Sequence, residues 1–211
     1  MRFIDASGMQ VEDLGRTDFR AAGERMRAAL EARVSGAGPD LLLLGEFEPV
    51  LTVGRGGDLT RYDAVGIPVH EVERGGKTTF HGPGQLVAYP VVRLAEGARD
   101  LHAYLHALEE ALIRTVGDFG LQGGRDPRNT GCWVNGRKLA SIGVAVRRWV
   151  TWHGVALNVD TDLAWFRRFD PCGLDPEVMT TIAAELGGPA PSMEEVKASL
   201  ARRIRETLAG E

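Results

Sequence analysis

The chain has 211 residues, a formal net charge of -4 and 44% hydrophobic residues. That length can bury a full hydrophobic core, and the mild acidity excludes a general electrostatic pull toward nucleic acid or an anionic membrane. The two cysteines, and the lack of a long apolar run at Met1-Arg2-Phe3-Ile4-Asp5, point to reduced thiols and a cytoplasmic protein.

In chain order, residues 17–34 read as a helix, with Ala21, Met26, Ala29, Leu30 and Val34 at roughly helical spacing, stopped by Gly36, Gly38 and Pro39. Leu41 to Gly45 is a continuous apolar run, the pattern of a strand buried on both faces and far too short to span a bilayer. Pro49 to Arg55 and Ile67 to Val72 read as further short strands. Arg74 to Gln85 reads as a glycine-rich loop at the rim of a sheet, and Leu86 to Tyr89 as a strand ended by Pro90. Asp100 to Val116 is the clearest helix: Asp100 is a good N-cap, and Leu101, Leu105, Leu108, Leu112 and Val116 make its stripe. His102 and His106 are four apart on it, but Ala103 stands where a zinc-protease helix has its Glu, so packed or solvated histidines are preferred to a metal pair.

Trp133-Val134, Asn135-Gly136 and Arg137 to Val146 predict a hairpin with a type I′ turn. A second turn at Arg147-Arg148 leads into a strand over Trp149 to Val159. By alternation Lys138 shares a face with Ala140, Ile142, Val144 and Val146; it either snorkels at the sheet end, the plainer reading, or lines a site. Ser192 with Glu195 predicts a capping box before a last helix to Leu208, striped by Met193, Val196, Leu200, Ile204 and Leu208. Residues 186–192 form a linker, and whether the tail packs on the main sheet stays open. The pattern is α+β, a mixed, mostly antiparallel sheet flanked by helices.

The loop holds four glycines, Gly75, Gly76, Gly82 and Gly84, among donor side chains, which favours a binding loop over a hairpin connection. Gly76-Lys77-Thr78 looks like the end of a phosphate-binding P-loop, but position 71 is Glu71 and a strand pattern follows, so that reading fails. Cys172, between Pro171 and Gly173 in a turn, is as compatible with a reactive thiol as with a structural one; Cys132, at the head of a strand, reads as packing. Neither has a second cysteine at zinc-ligand spacing.

Arg74-Gly75-Gly76 with Thr79, His81-Gly82-Pro83-Gly84-Gln85 and Tyr89-Pro90 closely resembles the signature of the lipoyl (octanoyl) transferases. Three further segments resemble that family in the same order: Lys138 before Ser141-Ile142-Gly143, Trp149 to Asn158, and Pro171-Cys172-Gly173. The N-terminal third matches loosely, in Thr52-Val53-Gly54-Arg55. The chain departs from the family at Gly131-Cys132-Trp133-Val134, where Val is common in place of Cys132, and in the loose Gly56-Gly57.

The resemblance implies one catalytic domain over residues 1–211, similar in fold to the biotin/lipoate protein ligases. It implies Cys172 as nucleophile and Lys138 as the group lowering its pKa. It implies substrate binding by Arg74, Gly75, Gly76, Lys77, Thr78, Thr79, Phe80 and His81, by Ser141, Ile142 and Gly143, and by Gly154, Val155 and Ala156. The amides of Gly75, Gly76 and Gly143 are candidate oxyanion donors, and Val87, Ile142 and Val155 candidate walls of an acyl tunnel. His81 either orients the carbonyl or supports the loop. Octanoyl-acyl carrier protein is the implied donor. Lipoyl domains of 2-oxoacid dehydrogenase E2 subunits and the glycine cleavage H protein are the implied acceptors, with no metal or cofactor and a monomeric enzyme. Arg147, Arg148, Arg167 and Arg168 are guessed as the patch that meets the acidic carrier. An ATP-dependent lipoate–protein ligase is the alternative.

Overall fold

The computed structural model describes residues 1–62, 65–169 and 174–211. Its first half runs β1 (Gln10–Thr17), α1 (Phe19–Ser35), β2 (Leu41–Phe47), β3 (Val50–Val53), β4 (Val69–Glu71), β5 (Thr78–His81) and β6 (Gln85–Val91). The second half runs α2 (Leu101–Gly117), β7 (Gly131–Val134), β8 (Arg137–Arg147), β9 (Val150–Asn158), α3 (Ile182–Leu186) and α4 (Met193–Ala209). Six strands form one sheet in the order β1-β2-β6-β9-β8-β7, and three form a smaller one in the order β4-β3-β5. The β1/β2 and β3/β4 pairs are parallel; the other pairs are antiparallel.

The leucine run shows why this sheet has a layer on each side. Along β2 successive side chains point to opposite faces. Leu42 and Leu44 join the core under α2 and α4, whereas Leu41, Leu43 and Phe47 join the core under α1. In β6, Leu86 and Ala88 go to the first side and Val87, Tyr89 and Val91 to the second. The last helix is therefore no detached tail: Val196, Leu200, Ile204 and Leu208 are fully buried in the α2 layer.

The caps form as their residues require. Asp18 accepts from Ala21 N, Asp100 from Ala103 N, and Ser192 with Glu195 closes a reciprocal capping box. Asn135 and Gly136 both have positive φ, as a type I′ turn demands.

Four expectations need correction. Thr78–His81 is not loop but strand β5, paired along β3 from Val53↔Thr78 to Val50↔His81. The strand expected to stop at Pro90 runs through it to Val91. Pro90 has no N–H for a ladder, and β6 pairs with β9 only as far as Ala88↔Val155. Beyond that point β9 departs from regular geometry, with His153 at φ 56, and the Thr151 hydroxyl bonds the Pro90 carbonyl at 2.9 Å. The second hairpin turns at Arg148 and Trp149, both left-handed, one residue later than expected. Finally, the alternation from Lys138 to Val146 is broken: Cys132 pairs with Ala140 and Trp133 with Lys138, leaving Leu139 without a counterpart. Leu139 and Ala140 both enter the α2-side core, so Lys138 leaves the row it was expected to share.

Leu42 is completely buried at the centre of the sheet, while Val11 on the edge strand β1 is 43% exposed. Leu42→Ala should cost about 2–5 kcal/mol in urea unfolding, and Val11→Ala under about 0.5 kcal/mol. Equal losses would contradict the two-layer arrangement.

Candidate active site

Four parts of the chain converge on one cleft of about 590 Å³. They are the glycine-rich loop with β5, strands β8 and β9, the head of α2 and the loop from Pro127 to Thr130. This volume falls among sites for small organic molecules, which span about 300–1,000 Å³.

The loop is built around Arg74, which is 7% exposed. Its guanidinium donates to the Thr52 carbonyl at 2.8 Å, the Thr52 hydroxyl at 2.9 Å and the Gly75 carbonyl at 3.0 Å. Backbone bonds from Gly54 to Lys77 and from Gly56 to Gly76 tie the loop to the end of β3, and Gly75 N donates to Val144 O on β8 at 3.0 Å. The Gly75 amide is thus already spent inside the protein, so it is withdrawn as an oxyanion donor. Gly143 is glycine because Arg74 lies across it: an added Cβ would meet Arg74 Cδ at 2.8 Å. Gly76 holds φ +80, a conformation costly for any side chain.

Strand β5 divides the predicted loop residues by its period of two. Thr79 and His81 line the cleft, with Arg74, Gly75, Gly76 and Lys77. Thr78 and Phe80 do not; Phe80 is fully buried in a third core with Leu51, Tyr62 and Phe166 and stacks on Trp165 at 5.3 Å. The expectation that Phe80 and Thr78 contact substrate is therefore corrected.

From the sheet, Lys138, Ser141, Ile142, Gly143, Gly154, Val155 and Ala156 all line the same cleft. Ile142, Val144 and Val155 give it an apolar wall, and Leu101 and Leu105 of α2 complete it. Val87, expected in that wall, instead packs in the core beneath α1. Lys138 does not snorkel. It is 2% exposed, its ammonium donates to Asn129 Oδ1, and it lies 5.9 Å from the Trp133 ring centroid.

Cys172 lies outside the described residues, with Asp170, Pro171 and Gly173. The described chain beyond them is beside Lys138: Met179 bridges it in parallel, and Thr180 N donates to Lys138 O at 3.0 Å. Cys132 is buried in the α2-side core, and burial pushes its thiol up to about 12. His106 is paired with Glu109 at 2.9 Å, and among the described residues no group of three His, Cys, Asp or Glu could hold a metal. The guessed basic patch is largely committed elsewhere: Arg147 pairs with Glu31, Arg167 with Glu177, and Arg168 stacks on Trp165.

Sequence reasoning missed several contributors. Asn129 is in an irregular loop with no periodic signal. Leu101 and Leu105 were read as core stripe; the 40% exposure of Leu101 marks where that stripe runs out of core. A buried polar chain was also missed: His81 Nδ1 to Gln85 Oε1 at 2.7 Å, Gln85 Nε2 to Asn158 Oδ1 at 2.9 Å, and Asn158 Nδ2 to Thr180 O at 3.0 Å.

Residues 19–205 match the model of the lipoyl protein ligase A/B catalytic domain family. An octanoyltransferase of Geobacter metallireducens is 49% identical over 196 residues, covering 93% of this chain and 92% of the relative. An octanoyltransferase of Mycobacterium tuberculosis is 44% identical, covering 97% and 89%. In structure the chain resembles lipoate-protein ligase A bound with ATP, with a TM-score of 0.71 at 17% identity over 99% of this chain and 86% of that one. Among the described residues no helix is long and apolar enough to cross a membrane.

Burial, with the positive charge of Arg74 nearby, lowers His81 to about 4 and His153 to about 3. The folded rings stay neutral where the unfolded chain, at about 6.5, takes up protons. Their contribution to stability is whole above pH 6.5 and is lost as pH falls toward 4, by up to about 1.4 kcal/mol per pH unit for each ring. Nitrogen-15 spectra of histidine-labelled protein at pH 5 should show both rings neutral. A midpoint near 6.5 for either would contradict this environment.

Proposed function

Since this chain belongs to the lipoyl protein ligase A/B catalytic domain family and is an acyltransferase, we propose that it moves an octanoyl group from acyl carrier protein to a lysine of a lipoyl domain. The transfer passes through a thioester on Cys172. The observation that carries this reading is Lys138: a buried ammonium in the same cleft as an apolar wall and a glycine loop.

A free thiol titrates at about 8.5, and a neighbouring cation stabilises the thiolate. Lys138 supplies that cation to Cys172. The thiolate attacks the donor's thioester carbonyl, the acyl carbon passes to Cys172, and the carrier's thiol leaves. The lysine amine of the acceptor then attacks the enzyme's thioester, forms the amide and releases Cys172. Thioester exchange followed by amide formation runs downhill without ATP. The acyl chain lies along Ile142, Val144 and Val155, facing Leu105. With Gly75 engaged by Val144, and Gly143 inside the β8–β9 ladder opposite Gly154, the Gly76 amide remains as the donor to the developing oxyanion.

The ATP-dependent ligase reading is separated by reagents alone: acceptor modification from octanoyl-carrier protein in the absence of ATP supports transfer, and a strict ATP requirement with free acid supports ligation. Intact mass after adding octanoyl-carrier protein should show one octanoyl adduct on the wild type and none on Cys172→Ser at the same time point. Lys138→Met should acylate at least about 10²-fold more slowly. An adduct on Cys172→Ser at the wild-type rate removes Cys172 from this role.

A further inference from the structure

The polarity of the buried chain beside the cleft is set at one end by a backbone carbonyl. Thr180 O can only accept, so Asn158 must turn its Nδ2 toward it. Asn158 Oδ1 then accepts from Gln85 Nε2, which leaves Gln85 Oε1 to face His81. An amide oxygen only accepts, so the proton of His81 is on Nδ1. Its Nε2 is left with a lone pair and no hydrogen. His81 lines the cleft and is 5% exposed. A ring fixed this way cannot donate to a carbonyl or an oxyanion, which overturns the expectation that His81 orients the substrate carbonyl.

The cleft supplies the reason for an acceptor. Arg74, Lys77 and Lys138 bring positive charge to it, and like charge disfavours an incoming ammonium relative to the neutral amine. A neutral amine that aims its lone pair at an acyl carbon points its N–H bonds elsewhere. Several acceptors around it are already engaged: Asn129 Oδ1 by Lys138, Thr52 Oγ1 and the Thr52 and Gly75 carbonyls by Arg74.

We propose that His81 Nε2 accepts an N–H of the attacking lysine amine and so aims its lone pair at the acyl carbon. This rests on the octanoyl-transfer reading above. In the step it serves, the C–N bond forms, the C–S bond breaks with its electron pair on sulfur, and one amine proton leaves with the sulfur as the thiol. His81 holds an N–H throughout and takes no proton away. The Gln85–Asn158–Thr180 chain is the positioning device, and Thr180 joins it to the Lys138 backbone.

The test separates the two half-reactions of the full-length protein. Acyl-enzyme formation from octanoyl-carrier protein is followed by intact mass, and discharge of that acyl-enzyme by a lipoyl domain is followed separately. His81→Asn keeps a donor for Gln85 but has nothing at the Nε2 position. It should slow discharge roughly 10²-fold while slowing acylation far less, and His81→Gln, whose longer amide reaches that position, should recover part of the loss. Nitrogen-15 spectra of the wild type should show His81 protonated at Nδ1, whether or not the variants fold. Equal slowing of both half-reactions, discharge at the wild-type rate in His81→Asn, or a proton on Nε2 overturns the proposal. Failure of the wild type to form any acyl-enzyme instead defeats the octanoyl-transfer reading itself.

Discussion

An ammonium group withdrawn from water is the constraint on which the site depends. Burying a charge costs several kcal/mol even after relaxation, so Lys138 persists at 2% exposure only because its surroundings compensate. Asn129 accepts from it, the Trp133 ring lies near it, and the bulge at Leu139 takes it out of the apolar row beside it. Each of these features is costly alone. A loop residue must be ordered, an aromatic ring held at a strand end, and a ladder interrupted. A fold that keeps all three in place holds a buried cation at the wall of the cleft.

The remainder of the architecture serves the same cleft from other directions. Two helical layers bury both faces of the six-stranded sheet, so its middle strands are packed on both sides. The small sheet carries the glycine loop, and Arg74 fastens that loop to β3 through Thr52 and lies over Gly143 of β8. Burial keeps His81 and His153 neutral, and the charge of Arg74 adds to that effect. One arginine therefore couples loop geometry to the electrostatics of the pocket.

Much of this was legible because it rests on local chemistry. The helix caps at Asp18, Asp100 and Ser192, the leucine run of β2 and the Asn135-Gly136 turn follow from a few neighbouring residues. What was illegible depends on partners distant in the chain. Thr78–His81 becomes a strand only because β3 is there to pair with it. Once it is a strand, its alternation separates Thr79 and His81 from Thr78 and Phe80, a distinction invisible while it was read as loop. Pro90 is tolerated mid-strand because β9 departs from regular geometry at His153. Lys138 was misplaced because a bulge shifts the phase of every residue before it, and a bulge has no signature in a single strand.

The central claim is that Lys138 lowers the pKa of Cys172, and the rate of Cys172 alkylation by iodoacetamide against pH measures it directly. Cys132 does not interfere, because it is buried with its thiol pushed up to about 12. The wild-type midpoint should fall below the ordinary thiol value of about 8.5, and Lys138→Met should return it to that value or above. A wild-type midpoint at about 8.5 or higher, or one unchanged by Lys138→Met, would contradict the account.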